Sequence, residues 1–231
     1  MWGRKVRFRS PDNVIKELEE IIGNYGVKYF RFQDDTMVLR KKRLLELCEK
    51  IEDLGIYWRA NTRVGHSDLD MLIAMKKAGC DEVSYGIESL DQNALNINNK
   101  GINLDQIYNA LENTKKAGLN SRLFFIIGLP GESKGFSKRL ETFLDKTNPE
   151  AVDISTMVPY PGSSMFYHPE KLGIKLKELE FEKYHMTLGL GEGELTRPLT
   201  FIHDVLSEGE IIEEREKSLK IILERKNVKN Y

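Results

Sequence analysis

The strongest constraint on the fold is a repeated order of helical pattern, glycine stop and short apolar strand pattern. It recurs five times between residue 11 and about residue 160, with a period of about 30 residues. The clearest strand is the apolar run at residues 123–127, bounded by Gly128 and Pro130. Such runs are typical of parallel strands that helices cover on both faces. The repetition predicts a barrel or a doubly wound sheet. Right-handed crossovers and the absence of a dinucleotide fingerprint favour a partial TIM-type (β/α) barrel.

The elements can be placed along the chain. The predicted strands are residues 27–32, 56–60, 82–87, 123–127 and 151–158. Ser10 and Ser67 are predicted N-caps of the first and third helices. After Gly162 the pattern becomes irregular, with a glycine-rich loop at 189–193, until a charged amphipathic helix at 207–226 begins with a capping box. We therefore predict an α/β core of about five parallel βα units at 1–162, and an irregular segment with a C-terminal helix packed on it at 163–231.

Composition narrows the function classes. With 35 basic and 36 acidic residues the net charge of the 231-residue chain is −1, so no global field attracts nucleic acid. No apolar run reaches the length of a membrane span. Four histidines lack metal-ligand spacing, which predicts no metal site of their own. Two distant cysteines favour a reducing, cytoplasmic location.

Polar residues follow each predicted strand, and the carboxyl ends of parallel strands meet at one rim. These tips carry carboxylates, an amide, an arginine and glycine turns, which together suit a polar, zwitterionic small-molecule ligand. The candidate binding residues at the first three tips are Asp34, Asp35, Asn61, Arg63, Glu88 and Ser89. The fourth strand ends at Ile127, Gly128 and Leu129, and the fifth meets a Pro-Tyr-Pro-Gly turn at 159–162.

Several tip residues also have a purely structural interpretation. Asp34 and Asp35 are candidate helix caps, and Glu88 is a candidate ion-pair partner for an arginine. Arg63 is also explained as a solvated surface charge, and the Gly-Leu-Pro-Gly turn at 128–131 as a tight connection that serves only packing. The binding hypothesis rests on the agreement of five tips.

An ordered set of segments resembles a known family. These are Phe32-Gln-Asp-Asp35, Ala78-Gly-Cys-Asp81, Tyr85-Gly-Ile-Glu-Ser89, Asn99-Lys-Gly101, Ala117-Gly118 and Phe125-Ile-Ile-Gly-Leu-Pro-Gly-Glu132. Over residues 1–162 they resemble the radical S-adenosylmethionine (radical SAM) enzymes. The likeness is to the branch that often carries an upstream cobalamin-binding domain, with oxidative cyclase-like and methyltransferase-like members.

The resemblance implies a (β/α)6 barrel, of which about five units remain here, with S-adenosylmethionine bound across the strand tips. It implies that Asp34 and Asp35 contact the methionine amino group and that Glu88 approaches the ribose or methionine portion. It also implies that residues 127–129 line the adenine. The resemblance names no catalytic residue for this chain and leaves its small-molecule substrate unknown.

The chain departs from the family at its defining element, a Cys-x3-Cys-x2-Cys motif that holds a [4Fe-4S] cluster through thiolates. Cys48 falls in a predicted helix and Cys80 at a helix-strand junction, so neither replaces the motif. We expect the chain alone to be catalytically inactive. The resemblance implies cobalamin only through an upstream domain. An excised piece, a split-gene product and a degenerate paralogue all remain open.

Three hypotheses follow. The chain is the carboxyl-terminal part of a radical SAM oxidoreductase or methyltransferase-like protein, whose partner is the missing amino-terminal portion. Alternatively, it is a non-catalytic module that binds S-adenosylmethionine or another protein. In the third, it is a structural remnant that self-associates through the exposed edge of its first strand, because bare sheet edges invite pairing.

Overall fold

The computed structural model describes residues 6–177 and 199–229, with side chains described as far as residue 225. The helices are α1 (Pro11–Tyr25), α2 (Lys41–Glu52), α3 (Leu69–Lys77), α4 (Gln92–Ile97), α5 (Leu104–Lys116), α6 (Phe136–Thr147), α7 (Ser164–Tyr167) and α8 (Glu208–Lys229). A short 3₁₀ helix spans Pro169–Leu172. The strands are β1 (Tyr29–Phe32), β2 (Tyr57–Thr62), β3 (Cys80–Glu88), β4 (Asn120–Ile127), β5 (Ala151–Thr156), β6 (Ile174–Leu176) and β7 (Phe201–His203).

The main sheet contains five parallel strands in the order β1-β2-β3-β4-β5. Tyr29 lies opposite Tyr57 across the first pair, and Trp58 lies opposite Cys80 across the second. A doubly wound sheet reverses its strand order at a switch point, whereas a barrel sheet keeps chain order. The sequential order therefore confirms the predicted α/β fold of the partial-barrel type.

The chain divides into two compact units. Unit 1 comprises Met1–Gly86 and Asp105–Arg122, and unit 2 comprises Ile87–Leu104 and Leu123–Tyr231. In unit 1 the indole of Trp58 is buried, and its Nε1–H donates to the carbonyl of Ala78 at 2.7 Å. In unit 2 the ring of Phe125 meets Phe136 and Phe143 edge to face, each at 6.0 Å between centroids. Each unit thus has its own aromatic core.

The first helix begins as the sequence predicts, but the third does not. Ser10 accepts a hydrogen bond from the backbone N–H of Asn13 at 3.3 Å. The N-cap of α3 is Asp68, whose Oδ1 accepts from the N–H of Met71 at 3.0 Å. The prediction of Ser67 was wrong because the next residue offers a carboxylate, which holds helix N–H groups more strongly.

Helix α8 confirms the predicted capping box. The Oε2 of Glu210 accepts from the backbone N–H of Ser207 at 2.9 Å, and the Ser207 hydroxyl accepts from the N–H of Glu210 at 3.3 Å. The helix packs against α6 and β5 within unit 2. Its buried positions are Ile211, Arg215, Ser218 and Ile222.

Part of the segment predicted to be irregular is ordered. It contains α7, the 3₁₀ helix and the antiparallel pair β6-β7, in which Ile174 lies opposite His203. The predicted glycine-rich loop at 189–193 lies outside the described residues. Among the helices that the structure describes, none is long and apolar enough to cross a bilayer.

Candidate functional site

Unit 1 contributes two strand tips, and hydrogen bonds join them. The Nδ2 of Asn61, at the end of β2, donates to the carbonyl of Asp34 at 3.3 Å. The backbone N–H of Met37 donates to the carbonyl of Asn61 at 3.2 Å. The loop after β1 is therefore held against the end of β2, and two of the predicted residues lie together.

The carboxylates of this rim face solvent. Asp34 and Asp35 are exposed, and neither caps α2, because Arg40 occupies the N-cap position of that helix. Arg63 is half-buried, and its carbonyl accepts from the N–H of His66 at 3.0 Å. Two exposed carboxylates beside an amide can receive an ammonium group or hydroxyl groups of a ligand.

A groove of about 480 Å³ runs along β1 in unit 1. It is lined by residues of α1, α2 and β1 and by the segment Arg7 to Arg9, and Asp34 lies in its wall. The guanidinium of Arg40 lies over the ring of Phe8 at 4.3 Å, which fixes this segment beside α2. The volume of the groove falls within the range of small-molecule pockets.

In unit 2 the tip of β3 carries backbone strain. Glu88 adopts a φ of +71°, a backbone conformation that residues other than glycine rarely adopt. Its Oε1 accepts from the Nζ of Lys100 at 2.8 Å, and both side chains are only partly buried. Glu88 is therefore ion-paired as the structural interpretation expects, but to a lysine. Strained backbone in a strand tip is typical of binding sites.

Glu132 closes the turn that follows β4. Its Oε2 accepts from the backbone N–H of Gly128 at 2.7 Å, and its Oε1 accepts from the hydroxyl of Ser89 at 3.2 Å. Only 1% of the residue is exposed. Burial raises the pKa of Glu132 to about 7, although the Gly128 N–H, the Arg139 charge and the Ser89 hydroxyl partly counteract it. This carboxyl titrates near neutrality.

A second carboxylate, that of Asp91, also joins the tip of β3 to the turn after β4. Asp91, after β3, accepts from the N–H of Ser133 at 3.0 Å and also caps α4 through the N–H of Asn93 at 2.9 Å. Burial raises the pKa of Asp91, but hydrogen bonds from Ser133, Asn93 and Ala94 outweigh burial and leave it lowered. Glu132 reaches from the turn to the β3 tip, and Asp91 reaches from that tip to the turn.

The turn at 128–131 is packed closely. Ile127, Gly128 and Leu129 are buried. A Cβ added at Gly128, where φ is +82°, would lie 3.1 Å from the ring of Phe201. The carbonyl of Leu129 accepts from the Nε2 of His203 at 3.0 Å, because the other ring nitrogen accepts two backbone N–H groups. The absence of a side chain at Gly128 therefore permits close packing of Phe201.

Sequence reasoning missed several residues of this rim. Glu132 was part of the recognised motif, but no role was assigned to it, because burial of a carboxylate is not visible in a pattern. Lys100 and Asp91 lie in a stretch without strong periodicity. The available signal was Asp91 followed by Gln92–Ile97, a cap before a short helix.

Comparisons with known proteins give one family. The model of the Radical SAM superfamily matches residues 1–142, more than half of the 231 residues. An uncharacterized methyltransferase of Pyrococcus horikoshii is 35% identical over 167 residues, which cover 71% of this chain and 36% of that protein. The anaerobic magnesium-protoporphyrin IX monomethyl ester cyclase of Rubrivivax gelatinosus is 31% identical over 186 residues, 79% of this chain and 33% of the cyclase.

A solved structure shares the fold. It is that of TsrM from Kitasatospora setae, a radical S-adenosylmethionine methyltransferase with cobalamin and a [4Fe-4S] cluster bound. The TM-score is 0.60 at 14% identity, over 74% of this chain and 37% of TsrM. The chain thus spans about a third of the length of these proteins.

Proposed function

Because this chain belongs to the radical SAM superfamily, we propose that it forms the S-adenosylmethionine-binding part of a methyltransferase-like or oxidative cyclase-like protein. In this proposal S-adenosylmethionine lies at the carboxyl ends of the strands. A [4Fe-4S] cluster comes from a polypeptide segment outside the 231 residues, and the chain alone is catalytically inactive.

The observation that carries the proposal is the strained tip of β3 beside the turn that Glu132 holds. A φ of +71° at Glu88 costs on the order of 1–3 kcal/mol, and the surrounding hydrogen bonds maintain it. It leaves a partly exposed carboxylate next to Lys100. Such an arrangement supports ligand binding better than it supports packing alone.

Each candidate residue has a role in the proposal. Asp34 and Asp35 accept from the ammonium group of the methionine portion, and Asn61 orients the backbone of that loop. Glu88 accepts from ribose hydroxyls or the ammonium group, with Lys100 holding it in place. Arg63 and Ser89 supply further polar contacts, and residues 127–129 form an apolar floor for the adenine. S-adenosylmethionine itself supplies an activated methyl or adenosyl group.

The cysteines of this chain do not fit an iron-sulfur cluster. A [4Fe-4S] cluster of this family requires three thiolates, and the sequence contains two cysteines. Both are buried, and burial raises the pKa of Cys48 to about 12 and that of Cys80 further. The described residues also include no group of three or more His, Cys, Asp or Glu side chains placed to hold a metal ion. We therefore assign no step to a cluster held by this chain.

The experiment is titration calorimetry of the 231-residue chain with S-adenosylmethionine. We expect saturable binding, and we expect Glu88→Gln to weaken it about tenfold, because an amide replaces a charged acceptor. The matched control is Glu112→Gln, which removes an exposed carboxylate that pairs with Lys116 on α5. It should leave the affinity unchanged.

No heat at millimolar S-adenosylmethionine would overturn the proposal for this chain, and equal affinities of the two variants would remove Glu88 from the site. The alternative function is a protein-interaction module. The observation that favours it is the groove along β1, a strand at the edge of the sheet order. Dimers in light scattering that disappear when Arg31 is replaced by proline, which cannot donate to a new strand pair, would support it.

A further inference from the structure

A buried arginine on α8 has no ion-pair partner among the residues that the structure describes. Arg215 is only 5% exposed, and its Nε and Nη2 atoms are buried without a hydrogen-bond partner. Within the described residues, 6–177 and 199–229, these two nitrogens have no acceptor. It occupies a position of the inward stripe between Ile211 and Ile222, where an apolar residue is the rule.

Four acidic residues of α8 have partners other than Arg215. Glu208 binds Lys177 at 2.7 Å, Glu210 binds Lys134, and Glu213 binds Lys217 at 2.7 Å. Glu214, the immediate neighbour, accepts from the backbone N–H of Ser137 at 2.6 Å and so caps α6. The helix carries many acids, but its described contacts leave none of these four for Arg215.

An unpaired buried guanidinium is costly, since charge removed from water requires compensation by a charge of opposite sign. Five fixed N–H donors match the geometry of a carboxylate or a phosphate. We propose that Arg215 binds an oxyanion, a carboxylate or phosphate group of the substrate.

The substrate is a better source of this anion than the cofactor. The family model ends at residue 142, whereas Arg215 lies on a helix that begins at Glu208. A residue outside the family segment suits a ligand particular to this chain. The assignment to the substrate rests on the proposed function, but the existence of an anion site at Arg215 does not.

The first test is thermal unfolding of Arg215→Met in chloride buffer. An unpaired buried charge destabilises the fold, so this variant should melt about 2–4 °C higher than the unmodified chain. If Arg215 instead serves a structural ion pair, the variant will melt lower, and that result overturns the proposal. The control Arg225→Met removes another arginine of α8, which pairs with Asp145 of α6, and it should not raise the melting temperature.

The second test is anion binding at constant ionic strength, with inorganic phosphate and sodium benzoate as separate probes. We expect at least one probe to shift the Nε–Hε resonance of Arg215 saturably, and Arg215→Met to weaken its binding about tenfold. Arg225→Met should bind as the unmodified chain does. The probe that binds more tightly shows whether the site prefers a tetrahedral anion, as in phosphate, or a planar one, as in benzoate. Saturation by neither probe, or equal binding by Arg215→Met, overturns the site.

Calorimetry with S-adenosylmethionine separates the two proposals. Arg215→Met should bind S-adenosylmethionine as tightly as the unmodified chain. If Arg215→Met loses that binding, the guanidinium holds the cofactor and the substrate assignment is wrong. If no variant binds S-adenosylmethionine but phosphate binding still depends on Arg215, the proposed function fails and the anion site stands.

Discussion

At the scale of single residues, Glu132 links the strand tips of unit 2 to solution pH. Its carboxylate holds the N–H of Gly128 and the hydroxyl of Ser89 at the same time. Burial makes the ionised form costly, and the hydrogen bonds recover only part of that cost. The geometry of the turn therefore depends on a group whose protonation changes between mildly acidic and neutral solution.

We predict that Glu132→Gln removes a pH dependence of stability. In the unfolded chain the carboxyl has its ordinary pKa of 4.5, and in the fold its pKa is about 7. Between these two values the folded chain keeps a proton on Glu132 that the unfolded chain has lost. The contribution of Glu132 to stability therefore falls as pH rises from about 4.5 through 7. The free energy of unfolding should lose on the order of 3 kcal/mol across this window relative to Glu132→Gln.

Urea unfolding at pH 5, 6, 7 and 8 measures this difference. Glu112→Gln is the control, because Lys116 lowers the pKa of this exposed carboxyl and no loss near neutrality is expected from it. A constant difference between Glu132→Gln and the unmodified chain at all four pH values would contradict the prediction.

We predict that Gly128→Ala destabilises unit 2 more than Gly162→Ala does. Both glycines have positive φ, +82° and +91°, so both alanines meet similar backbone strain. At Gly162 no other atom lies within 4 Å of the added Cβ, whereas at Gly128 the ring of Phe201 lies at 3.1 Å. The additional loss for Gly128→Ala should be about 1–3 kcal/mol in urea unfolding.

Equal losses for the two variants would show that Phe201 moves away at little cost. The turn would then be more adaptable than its packing indicates. A larger loss at Gly128 would instead identify close packing of β7 as the reason that this position carries glycine.

At the scale of elements, α8 begins at a capping box that the sequence predicts and the structure confirms. We predict that Ser207→Ala lowers the free energy of unfolding by about 1 kcal/mol, because the N–H of Glu210 loses its acceptor. Thr142→Ala is the control, since the hydroxyl of the exposed Thr142 on α6 only donates back to the carbonyl of Lys138. A loss below that of the control would contradict the prediction.

The elements that the sequence predicts are those with local signals. The apolar run within β4 identifies that strand, and the caps at Ser10 and Ser207 identify helix starts. Helix α4 was missed because six residues give too little periodicity, and β6 and β7 because three residues give none.

In the candidate site too, the features with local sequence signals were predictable and those that depend on distant residues were not. The strand tips were predictable because each polar residue directly follows an apolar run. The positive φ of Glu88, the pairing with Lys100 and the burial of Glu132 were not, because they depend on residues distant in sequence. Arg215 was overlooked for the opposite reason: in a strongly charged helix, one arginine at an inward position resembles its exposed neighbours.

At the scale of the whole molecule, the chain combines a radical SAM fold with two cysteines. We predict that anaerobic incubation with iron and sulfide leaves less than about one iron atom per chain after desalting, because no set of three thiolates is present. Iron analysis measures this directly, and Cys48→Ala/Cys80→Ala should give the same value.

A brown protein with four iron atoms per chain would contradict the prediction. Loss of that iron in the double variant would assign it to these cysteines. Retention of that iron in the double variant would point to ligands other than sulfur.

The burial of Cys48 and Cys80 makes their alkylation a probe of local unfolding in unit 1. Both thiols lie in unit 1, and a raised pKa keeps them protonated and slow to alkylate. An alkylating reagent can modify them only when this unit exposes its interior. Mass spectrometry of timed iodoacetamide reactions therefore yields an opening rate for one half of the molecule without an engineered label.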